Sequence, residues 1–123
     1  MKLEKVVVAD KLKLITEYWN PKNVGGLNGQ LVKLVKLKGE FIWHKHENED
    51  ELFWVINGDL DMEIRGQKTI TVSRGEFIII PRGTEHRPVA KNEVEIMLFE
   101  PESTLNTGDQ AESRLTRNKL DWI

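Results

Sequence analysis

The sequence predicts an all-β fold, a small antiparallel barrel or sandwich. Three observations carry this. From residue 41 onward, short alternating apolar and polar runs recur between turn residues at about every 8–12 positions. Asn57-Gly58 falls between two such runs, where an Asn-Gly pair favours a hairpin. In Leu60–Arg65 the alternation is strict: Leu60, Met62 and Ile64 share one face, and Asp61, Glu63 and Arg65 the other.

The elements follow in chain order. A short helix is expected over residues 10–18, with Asp10 as its cap and Leu12, Leu14 and Ile15 near one face. Trp19-Asn20-Pro21 breaks it, and Asn23 to Gly29 reads as a turn-rich stretch. Leu31 to Lys38 fits a helix face or a strand; its β-branched residues and the flanking Gly29 and Gly39 favour a strand. The later runs are Phe41–His46, Glu51–Ile56, Leu60–Arg65, Thr69–Val72, Phe77–Ile80, Glu85–Val89 and Val94–Phe99. After Pro101 the periodicity fades into a polar tail that ends Leu120-Asp121-Trp122-Ile123.

The 123 residues suit one domain, which should bury about two-thirds of its surface. Cysteine is absent, which excludes disulfides, thiolate zinc sites and cysteine nucleophiles. With 18 basic and 20 acidic residues the net charge is −2, so neither a nucleic-acid partner nor an anionic membrane surface is expected. Only Val6-Val7-Val8-Ala9 follow the basic first residues, too few for a signal peptide, so the protein is expected in the cytoplasm.

The chain has three histidines: His44, His46 and His86. Two positions apart on one strand, His44 and His46 present both rings to the same face. Glu51 follows across the acidic run Glu47–Asp50, where an antiparallel return brings it back beside them; Glu49 and Asp50 are the alternative carboxylates. His86 arrives from a later strand, just past Pro81-Arg82-Gly83, a turn that aims it. Three imidazoles and a carboxylate make a borderline-hard donor set, suited to Fe, Mn, Ni, Zn, Cu or Co in the divalent state.

At these residues the chain resembles the cupins. Gly39-x4-His44-x-His46-x4-Glu51-x6-Gly58 is similar to the first cupin motif, and Gly75-x5-Pro81-x-Gly83-x2-His86 to the second. The spacing from Gly39 to His44 is slightly shorter than the family's usual one, and Ala90 stands where Asn is common. The resemblance implies a cupin double-stranded β-helix, a jelly-roll-like barrel with the core at about residues 30–100 and a tail at 101–123. It also implies that His44, His46, Glu51 and His86 bind a divalent metal inside that barrel.

Parity extends the reading. If Glu51 faces inward, so do Phe53 and Val55, leaving an outward row of Leu52, Trp54 and Ile56. That row needs cover, from the N-terminal segment, from the tail or from a second copy; the resemblance favours a homodimer. Arg82, Arg87 and Lys91 read as rim charges or as contacts for an anionic substrate. Beyond the four site residues no further acid or base is expected inside the barrel. The function expected is a metal-dependent enzyme of isomerase or dioxygenase type acting on a small polar or sugar-like molecule held in the barrel. The alternative is a non-catalytic module that binds or senses a small ligand.

Overall fold

The computed structural model describes residues 3–123. One short helix, α1 (Val8–Lys13), precedes seven strands: β1 (Lys22–Leu27), β2 (Gln30–Glu40), β3 (Glu51–Asn57), β4 (Asp59–Ile64), β5 (Ile70–Ser73), β6 (Phe77–Ile80) and β7 (His86–Pro101). The paired strands are all antiparallel, in the order β1-β2-β7-β3-β6, with β4 joining β5 to β7. The all-β expectation holds. Among the described residues no helix is long and apolar enough to cross a membrane.

The spine is β7. The sequence suggests two runs there, Glu85–Val89 and Val94–Phe99, but they form one strand of 16 residues. β2 pairs along both halves, with a register shift between Leu37 and Gly39 that absorbs the bend. On the other side, β4 pairs with the first half and β3 with the second, end to end. Asn57-Gly58 therefore does not close a hairpin, since β3 and β4 are not partners. It turns the corner from one half of β7 to the other. Gly58 has φ 93°, and a Cβ there would sit 2.9 Å from the Glu93 carbonyl oxygen, so both conformation and space demand glycine.

Three further expectations are corrected. The stretch from Asn23 to Gly29 is mostly strand. Its hairpin turn is Asn28-Gly29, both at positive φ, and Gly25 and Gly26 fit a strand with a bulge after Asn23. The helix begins and ends earlier than residues 10–18. Val7, not Asp10, holds the cap position and makes no side-chain cap bond. The chain leaves the helix so that Leu12 and Ile15 reach Val24 and Leu34 on the outside of the sheet, while Leu14 stays exposed. Finally, residues 42–46 make a single bridge, His44 to His86, rather than a strand ladder.

The main core lies inside the barrel and includes Val35, Leu37, Phe53, Val55, Leu60, Met62, Val94 and Ile96. The second, smaller cluster is the one under α1, joined by Ile56, Met97 and Ile123. The polar tail is well held: Asn23 donates to the Asp121 carbonyl at 2.9 Å, and Ile123 donates to that of Asn23 at 3.1 Å.

Candidate metal centre

The structure brings His44, His46, Glu51 and His86 together. One ligand atom from each lies within 4.8 Å of every other, and all four residues are buried. The three ring centroids are 4.3–5.8 Å apart. His46 Nε2 and His86 Nε2 stand 3.2 and 3.5 Å from Glu51 Oε1, yet none of these three atoms has an aligned hydrogen-bond partner. Buried lone pairs of this kind cost about 1–3 kcal/mol each unless something satisfies them. Their convergence on one point fits a cation.

The supporting contacts set the rings. The Nδ1–H of His44 donates to the Ile42 carbonyl and that of His86 to the Thr84 carbonyl, each at 2.9 Å. Both bonds fix the tautomer that leaves Nε2 as a lone pair. Main-chain pairing between His44 and His86 locks their two segments, and Gly83 donates to the His46 carbonyl at 2.7 Å. Asp50 is not drawn into the cluster. It accepts from the Arg82 backbone at 2.9 Å and from its guanidinium, tying the loop before Glu51 to the turn that aims His86. Glu49 accepts from Ser103. Arg82, read as a rim charge or an anion contact, thus pins a loop. Arg87 pairs with Glu63 and Glu40, and Lys91 lies 3.9 Å from Asp61.

Electrostatics separates the groups. Burial, and then His86, pull the His44 imidazole down to about 4. Burial also lowers His46, but the Glu51 carboxylate outweighs it and leaves that ring above its ordinary value. Glu51 is pushed up by burial, yet His46, His86 and Glu100 facing it hold its carboxyl well below the usual range.

A cavity opens beside the cluster, with about 410 Å³ of empty space including its solvent-facing part. His44, Glu51, Glu100 and Asn106 supply its polar lining, and residues such as Phe41, Phe53 and Leu98 its apolar wall. Trp19 stacks on Phe41 at a centroid distance of 4.9 Å. Its φ of 59° is uncommon for a bulky residue, and bonds to the Lys36 and Lys38 carbonyls hold it there, both at 2.9 Å.

Sequence reasoning missed three features. Glu100 and Lys33 are inside, each about 2% exposed, and paired at 2.9 Å, against the expectation of no further acid or base there. The signal was parity: Glu100 continues the inward row Val94, Ile96, Leu98, and Lys33 shares a face with Val35 and Leu37. The third is the tail. Asp109 accepts from the Lys45 backbone and donates to its carbonyl, both at 3.0 Å, clamping the residue between His44 and His46. No periodic pattern announces such a contact.

The sequence profile of the family described as cupin domain matches residues 31–100. A cupin-2 domain protein from Shewanella frigidimarina is 42% identical, with TM-score 0.77, over 79% of this chain and 94% of that one. Protein NMB1881 from Neisseria meningitidis is 29% identical, with TM-score 0.74, over 80% and 100%. The uncharacterized protein YdbB of Bacillus subtilis is 34% identical over 65 residues, 53% of this chain and 58% of that relative's length.

Proposed function

Because the chain belongs to the cupin domain family, we propose that His44, His46, Glu51 and His86 bind a divalent transition metal and that the protein is a metal-dependent enzyme acting on a small polar or sugar-like molecule, of isomerase or dioxygenase type. The observation that carries this is the set of partnerless buried atoms, His46 Nε2, His86 Nε2 and Glu51 Oε1, converging beside a cavity that Glu51 and His44 line. Bound there, Fe, Mn, Ni, Zn, Cu or Co would supply Lewis-acid chemistry to a substrate oxygen. The backbone carbonyls of Ile42 and Thr84 orient two of the ligands. Glu51 brings the negative charge that offsets the cation, and the wall around Phe41 and Phe53 keeps water from the substrate. For the assembly we propose a homodimer through the outer face of β3 and the edge strand β6. There Trp54 stacks on Phe77, and Phe77 and Ile79 are each 53% exposed.

The test is thermal melting with and without Mn(II), Fe(II), Ni(II) or Zn(II), for wild type and His86→Ala, at pH 7.5 and pH 5. At 100 times the dissociation constant, metal should add about 2.7 kcal/mol to the wild type at pH 7.5. The variant should lose most of that increment, and acid should reduce it because binding requires neutral imidazoles. A wild type that no metal stabilises at pH 7.5, or a variant that responds as strongly, rejects the proposal.

A further inference from the structure

Lys33 and Glu100 are the two buried titratable side chains among the described residues that lie outside the four-residue cluster. Both side chains are 2% exposed. They sit diagonally across the β2–β7 ladder, where Lys33 faces Leu98 and Glu100 lies two residues on. Burying an ion pair in a barrel wall is costly, and well-packed apolar residues would serve stability at least as well. Moreover, the pair is half used. Lys33 Nζ reaches Glu100 Oε1, while Glu100 Oε2 is buried without a partner. That carboxyl lines the same cavity as His44 and Glu51.

We propose that Glu100 is a ligand-binding residue of this cavity: its free Oε2 hydrogen-bonds a second oxygen of a small molecule whose first oxygen lies at the histidine cluster. Lys33 is the positioning residue that holds the carboxyl in place. Because Glu100 and Glu51 face each other in the lining of the cavity, the two ligand oxygens must be close together. Because Phe41, Phe53 and Leu98 form the rest of the wall, the body that carries them is compact and largely apolar. The ligand class is therefore a vicinal diol, a catechol or an α-hydroxycarbonyl compound. This rests on the metal reading above.

The experiment separates the two ideas. Co(II) is titrated into the full-length wild type and Glu100→Gln, followed by visible absorption. Each Co(II)-loaded protein is then titrated with catechol, which has two adjacent oxygens, and with phenol, which has one. Co(II) affinity should be nearly the same in both proteins. Catechol affinity should fall about fivefold in Glu100→Gln, the loss expected for one hydrogen bond, while phenol affinity should hold. The double variant Lys33→Met/Glu100→Leu removes both polar partners together and should show the same selective loss of catechol; it carries the comparison if Glu100→Gln does not fold. If Co(II) fails to bind the wild type, the metal reading falls and this inference with it. If Co(II) binds and catechol affinity is unchanged, or falls no more than that of phenol, this inference alone is overturned.

Discussion

The two faces of β3 begin alike and end differently. Along Glu51, Phe53 and Val55 every side chain is sealed, at 4%, 4% and 0% exposure. Along Leu52, Trp54 and Ile56 the cover is uneven. Ile56 packs on the cluster under α1, Leu52 is half-buried, and Trp54 remains open with only Phe77 stacked on it. Alternation explains why each trio shares a face. It does not say which face gets closed, or how far. The inner face is closed by the curl of β7, and the outer one only as far as a six-residue helix and the chain's last residue can reach. This difference leaves Glu51 sealed and Trp54 partly exposed.

The comparison can be broken first at Phe53. Phe53→Ala empties a sealed position and should cost about 3–5 kcal/mol in urea unfolding. A cost below about 1 kcal/mol would mean that the inner face is not a packed core.

Next, pH sharpens the picture of the sealed site. The His44 imidazole, at about 4 when folded against an ordinary value near 6.5, binds its proton more weakly in the folded state. Its contribution to stability is thus fully present above about pH 6.5 and is lost as pH falls toward 4, by on the order of 3 kcal/mol. His46 has the opposite sign. Its raised value favours the fold in acid, and that contribution is lost as pH rises through its folded value. In the metal-free protein, ring-proton NMR should show His46 titrating above the ordinary value and His44 only near pH 4. Equal midpoints near 6.5 would show that water reaches the site freely.

The smallest effect on folding belongs to the outer face. Trp54→Lys should change monomer stability by less than about 1 kcal/mol, as expected for a partly exposed position. In sedimentation velocity, however, it should convert the proposed dimer to monomer. An unchanged dimer moves the interface off this face.

Much of the site is legible in the sequence, because His44, His46, Glu51 and His86 are chemically distinctive and their spacing matches alternating strands and tight turns. Lys33 and Glu100 were legible only in part. Their inward parity follows from Val35 and Leu98, but a charged residue at such a position is ordinarily assigned to solvent, and pairing across 67 positions is invisible in one chain. The clamp of Asp109 on Lys45 was not legible, because nothing periodic links a polar tail to the segment it holds.

The two Asn-Gly pairs show where the sequence's authority ends. Each predicts a reversal, since Asn and Gly accept positive φ at little cost. Asn28-Gly29 joins paired strands, whereas Asn57-Gly58 carries the chain around a corner onto a different stretch of β7. The sequence by itself determined the β period, the inward rows, the turns and the identity of the site's donors, because these depend on residues within a few positions of one another. Tertiary structure alone decided that residues 86–101 form one spine, that 42–46 stand apart from the ladders, and that the tail braces them. Those outcomes depend on pairing between distant segments, where the loss of chain entropy is weighed against contacts that exist only once the whole barrel has closed.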